Sequence, residues 1–195
     1  GIPLSGGTNA EVNREAHQAY LDKIEAYSFN TMGVVTNDDT IKSLYTNFCM
    51  RMRDEIGAKF QVVLYNKAAN YEGVINVTNK VTDEDVPEAS LVYWVTGVEA
   101  GCAINKSTLN RIYDGEFTVD VAYTQYQLES AIESGKYMLH KVGKDIRVLE
   151  DINSLVTETE AKGKIFKDNQ TIRVVDQLAN DTAILFNNKY SVVMC

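Results

Sequence analysis

The chain of 195 residues carries 27 acidic and 19 basic side chains for a net charge of −8, with 45% hydrophobic and 24% charged residues. A chain of this size and balance buries about 70% of its unfolded surface without needing a disulfide or metal, which excludes collagen-like, low-complexity and disordered classes. Its acidic field repels phosphate backbones and anionic headgroups, against direct nucleic-acid binding. The longest apolar stretch, residues 89–103, holds Glu99 and falls short of the roughly 20 residues that cross a bilayer, against membrane insertion.

Residues 1–7 have neither the basic start nor the apolar run of a secretory leader, and the sequence does not open on Met, which points to a fragment or a processed form. From 13 to 27, Ala16, Tyr20, Ile24 and Tyr27 recur at helical spacing, with Asn9 or Asn13 available as the cap. The run 31–36 reads as a short buried strand, and Asn37-Asp38-Asp39 as a turn leading into a helix N-cap. Ile41, Leu44, Tyr45, Phe48, Met52 and Ile56 mark one face of a second helix that Gly57 closes, and a second buried strand follows at 60–65. Strand, helix and strand with short joints form a βαβ unit, for which parallel pairing is favoured.

Another strand is expected at 74–78. The acidic turn Thr82-Asp83-Glu84-Asp85 leads through Pro87 into an apolar helix at 88–103. Gly97 and Gly101 lie one turn apart on that helix, where each lowers helix propensity by about 1 kcal/mol, and so suggest a face closely approached by another backbone. Residues 116–120 alternate like a strand, and Thr124 with Gln127 forms a capping box for a helix that Gly135 ends. Runs 137–142 and 146–150, joined by Gly143-Lys144-Asp145, read as an antiparallel hairpin. A polar segment, 153–167, precedes a last long helix in which Ile172, Val175, Leu178, Ala179, Thr182, Leu185 and Phe186 trace an apolar stripe. The fold class that follows is α/β, an α+β mixture: a mixed sheet with flanking helices, a βαβ unit, then an antiparallel hairpin and a long C-terminal helix.

Groups for chemistry are few. His17 and His140, the only histidines, have no partner at ligand spacing; His17 is placed on the flank of its helix and His140 in a strand, both structural. Cys49, Cys102 and Cys195 are odd in number and widely spaced, which fits a reducing compartment rather than a disulfide framework, and Cys49 reads as a small buried thiol. The stretch 97–107 is the nearest approach to a phosphate loop, but Asn105 rather than Gly precedes Lys106, and no Gly-x-Gly-x-x-Gly follows either buried strand. Asp83-Glu84-Asp85 lacks the alternating ligands of a calcium loop and reads as a solvated turn. Asn-x-Ser/Thr triplets beginning at Asn76, Asn105, Asn169 and Asn180 match what chance gives. No catalytic, cofactor-binding or metal residue is expected. The eleven tyrosines suit contacts, although Tyr20 and Tyr45 are expected on core-facing stripes.

Several segments resemble the contractile tail sheath proteins of myophages and of defective phage-like elements in Gram-positive bacteria. They are Leu4-Ser5-Gly6-Gly7-Thr8, Tyr20-Leu21-Asp22-Lys23-Ile24-Glu25, Ser28-Phe29-Asn30-Thr31 and, most strongly, Trp94-Val95-Thr96-Gly97-Val98-Glu99-Ala100-Gly101. Asn105-Lys106-Ser107, Ile112-Tyr113-Asp114-Gly115, Leu139-His140-Lys141-Val142-Gly143, Arg147-Val148-Leu149-Glu150-Asp151-Ile152-Asn153 and Asn169-Gln170-Thr171-Ile172-Arg173-Val174-Val175-Asp176 continue the series. None is a catalytic motif; their number and order carry the resemblance.

It implies a structural protein, not an enzyme, that polymerises as homo-oligomeric helical rings around a tail tube above a baseplate. Contraction then drives the tube through the host envelope without nucleotide hydrolysis. The resemblance also implies the virion tail as location after assembly in the bacterial cytoplasm. Residues 1–195 would be the central domain, without the N-terminal region and the C-terminal domain of full-length members. Two other readings stand beside it: a small nucleotide- or metabolite-binding α/β enzyme with its site at strand C-termini near 36–39 and 66–71, and a sheath-like subunit of a bacterial injection device.

Overall fold

A computed structural model describes residues 12–190. Asn9, the 4–8 segment, Cys195 and the closing run 191–195 lie outside the described residues. The Asn13 side chain accepts the Ala16 amide and starts α1 (Arg14–Ile24). The face it packs is not the expected one. Ala16 and Tyr20 are exposed and Tyr27 lies past the helix end, whereas Leu21 is fully buried and Ile24 partly so. His17 therefore sits on the packing side rather than the flank, its Nδ1 3.0 Å from the Tyr45 hydroxyl. Both sets of positions fit helical spacing; burying the wholly apolar Leu21, and leaving the Tyr20 hydroxyl near water, decides between them.

β1 (Thr31–Gly33) is shorter than the predicted strand. The Asp38 carboxylate then accepts the Thr40 and Ile41 amides and caps α2 (Asp39–Met50), which runs through a π-helical turn, Arg51–Ile56, to a left-handed Gly57 at φ +89°. β2 (Gln61–Tyr65) and β3 (Val74–Val77) complete a parallel sheet in the order β1-β2-β3. The β2-to-β3 link at 66–73 carries no helix and turns back through Asn66 and Asn70, both at positive φ.

Both faces of the sheet are covered, which is why β2 and β3 are buried at every position and mainly apolar. Met32, Val62, Leu64 and Val74 pack against Ile41, Tyr45, Phe48, Cys49 and Met52 of α2 and its continuation. Val63, Tyr65, Ile75 and Val77 meet Leu91, Val92 and Val95 of α3 (Leu91–Ala100), which follows a 3-10 turn at Glu88–Ser90 and ends short of the predicted 103. The close approach expected at Gly97 and Gly101 is not there. A side chain at Gly97 would meet nothing within 4 Å, and one at Gly101 only the Gly97 carbonyl, because this face of α3 turns to solvent. The tight contact is at Gly33 of β1, where a Cβ would run into Thr96 and come within 3.1 Å of Val92.

The predicted strand at 116–120 reduces to one antiparallel bridge, Val81 to Val119, with Val119 buried and Phe117 packed against the core edge. The Thr124–Gln127 capping box opens α4 (Gln125–Glu133), and Gly135 at φ +67° closes that segment. β4 (Leu139–Val142) and β5 (Asp145–Val148) form the expected hairpin about Gly143. Parallel and antiparallel pairing thus both occur, in two sheets joined by a Val77–Tyr137 bridge. Fully buried Asn79 reinforces the joint: its amide donates to the Leu139 carbonyl and its oxygen accepts the Leu139 N–H. α5 (Asn169–Tyr190) ends the described chain.

Candidate interaction surface

The first turns of α5 are its only deeply seated part. Asp168 accepts the Gln170 and Thr171 amides and caps the helix. Asn169, fully buried, accepts from Gln61 and donates to Asp151, and Ile172 is 1% exposed. Arg173 then reaches two carboxylates, donating from Nη1 to Glu99 and from Nη2 to Asp151 at 2.8 Å. One turn on, Asp176 takes a two-pronged bond from buried Arg53 at 2.6 and 2.9 Å. Polar and charged groups, with one isoleucine, therefore hold the helix to the body.

Beyond Asp176 the helix rides over open space. A cleft of about 170 Å³ lies between Arg173, Gln177 and Asn180 on one side and Asn30, Lys59 and Gln61 on the other. Gln177, Asn180 and Ala183 also line a wider groove against residues 25–30. At 100° per residue, Val175, Leu178, Thr182 and Leu185 fall on the opposite face. Past Ile172, which is buried against the body, the apolar stripe read from the sequence points away from it, with Val175 41%, Leu178 66% and Leu185 64% exposed. An exposed apolar stripe along one helix face is unusual for a surface that stays in water.

The electrostatics of the anchor follow from burial. Burial, and then the Asp151 charge, push the Glu99 carboxyl up to about 8 against the pull of Arg173 and Thr108. Burial works on Asp151 in the same sense, but Arg173, the Thr108 amide and Asn169 hold it below the ordinary carboxylate value. Sequence reasoning missed this cluster. Its one signal was Glu99, the single charge in an otherwise apolar helix; Asp151 and Arg173 are too distant in sequence to be paired without the fold.

The groups weighed for chemistry are otherwise occupied or dispersed. Cys49 is buried, its thiol pushed up to about 12 by burial, and Cys102 is free as well. His140 lies in β4, lowered by burial. The Asp83 carboxylate accepts the Thr118 amide, Asp85 takes a left-handed turn conformation, and among the described residues no three His, Cys, Asp or Glu side chains could hold a metal. Asn76 and Asn169 are buried and serve the fold. In the two loops of the enzyme reading, Asp38 caps α2, Asn70 accepts the Val156 and Thr157 amides, and Lys67 bonds Ser43. Their side chains are spent on structure. No described helix is long and apolar enough to cross a membrane.

Residues 10–154 match the family model described as phage tail sheath protein central domain. The chain belongs to the phage tail sheath family. That family is one of structural proteins, not enzymes. This sheath chain is 35% identical over 187 residues to the phage-like element PBSX protein XkdK of Bacillus subtilis (strain 168), covering 93% of this chain and 40% of that one. The crystal structure of a sheath tail protein from Desulfitobacterium hafniense superposes with a TM-score of 0.88 at 37% identity, over 96% of this chain and 46% of that one. The contracted helical sheath of the anti-feeding prophage, seen by cryo-EM, shares the fold at a TM-score of 0.62 and 11% identity, over 88% of this chain and 50% of that one. The sheath chain thus spans less than half the length of the curated relatives it matches, and α5 follows the matched span.

Proposed function

We propose that this chain is the central portion of a contractile sheath subunit, flanked in the full-length protein by an N-terminal region and a C-terminal domain. Its subunits polymerise in helical rings around a tail tube, above a baseplate, and contract to drive the tube through a host envelope. Assembly takes place in the bacterial cytoplasm and the product resides in the virion tail. The observation that carries this reading is the near-complete superposition on the Desulfitobacterium hafniense sheath tail protein. The outward apolar stripe of α5 supports it, since a surface of that kind suits an assembling subunit.

Work in this scheme comes from two packings of the same rigid subunits. A differential of about 1 to 3 kcal/mol per subunit, the range of allosteric couplings, becomes large over many identical copies. The test is co-expression of the full-length parent gene with its neighbouring tube gene, followed by negative-stain microscopy. Hollow tubular polymers around the tube are expected; soluble subunits beside bare tubes would refute the reading.

A further inference from the structure

The cluster at the root of α5 sets two buried carboxylates against one guanidinium. Glu99 is 2% exposed; its Oε1 accepts the Thr108 hydroxyl at 2.9 Å and its Oε2 faces Arg173. Asp151 accepts, besides Arg173, the Ser107 hydroxyl and the Thr108 amide, each at 2.9 Å, and the Asn169 amide at 3.0 Å. Arg173 also donates to the Lys106 carbonyl, and its Nε is buried without a partner. Also beside the cluster are the Tyr137 hydroxyl, 3.2 Å from Thr108 Oγ1, the Cys102 thiol past the end of α3 and the Glu150 carboxyl next to Asp151; all three are raised, chiefly by burial. Asp151 holds four donors and Glu99 two, and the cleft beside Arg173, lined by Glu99 as well, opens the edge of the cluster to solvent.

We infer that Glu99, Asp151 and Arg173 form a proton-operated latch: with a proton on Glu99 the guanidinium serves one anion and α5 stays seated, and loss of that proton loosens the helix at its root. The direction follows from linkage. Seated, the Glu99 carboxyl is held up to about 8, and in a lifted state that admits water it returns to its ordinary value of 4.5. The seated form therefore binds the proton more tightly. Lifting becomes easier as pH rises from 4.5 to 8, by up to tenfold per unit, and levels off on either side of that window. The Arg53–Asp176 pair one turn on is a separate contact, whose carboxyl is also raised by burial against the pull of Arg53, and a change at Glu99 leaves that pair in place.

The experiment is amide hydrogen exchange on this chain from pH 5.5 to 9, with rates corrected for intrinsic exchange. Protection of residues 173–177 is expected to fall more than about tenfold between pH 5.5 and 8 and then level, and Glu99→Gln should lose most of that dependence. A flat wild-type profile, or the same fall in the variant, overturns the latch. Should the variant fail to fold, the carboxyl carbon shift of Glu99 in the unaltered chain decides: a midpoint above about pH 6.5 supports the proposal and one below it ends it.

Discussion

Arg173 stands between two buried acids, so its removal leaves charge that water cannot reach. Arg173→Met is expected to lower unfolding free energy by about 3–5 kcal/mol, the loss typical of breaking a buried pair from one side, read as a shifted midpoint in urea melts. Gly33 poses the opposite problem of too little room. Gly33→Ala should destabilise by about 1–3 kcal/mol through overpacking against α3, and adding Thr96→Ala should restore part of the loss in thermal melts. At this scale the sequence was read unevenly. Caps such as Asp38 and Thr124 were legible because their bonds are local, within three residues of the chain. The crowding falls at Gly33 and not at Gly97 or Gly101, because crowding at a glycine depends on what packs across from it and not on its own neighbours in sequence.

Elements with short-range periodicity were the easiest to foresee. The βαβ unit, the hairpin and the long last helix all stand where apolar spacing placed them. The strand expected at 116–120 failed because alternation alone does not supply a pairing edge, and the chain offers it one bridge. For α5, periodicity gave the stripe but no direction. Polar side chains hold its root, which turns the apolar face outward, and nothing local in the sequence encodes that rotation. If the stripe serves assembly rather than folding, Leu178→Lys with Leu185→Lys should leave the unfolding free energy of this chain, read from urea melts, within about 0.5 kcal/mol of wild type. The same pair in the full-length parent should abolish tubular polymers in electron micrographs.

At the scale of the whole molecule, two apolar cores clamp a parallel sheet between α2 and α3, and the described residues form a stiff body with one lightly attached helix. A body of this build suits a polymer that changes state by repacking subunits rather than by refolding them. The expectation that the chain is not an enzyme agrees with the family to which it belongs. What the sequence could not convey was the outward face of α5 and the buried acid pair at its root, since both arise where segments distant in sequence meet. The most direct test is a pair of cryo-EM reconstructions of the full-length parent on its tube, before and after contraction. The account predicts that the body spanning β1 to β5 superposes unchanged in both, with Leu178 and Leu185 covered by neighbouring protein. A body that refolds between the two states, or an α5 stripe left facing solvent in both, would contradict it.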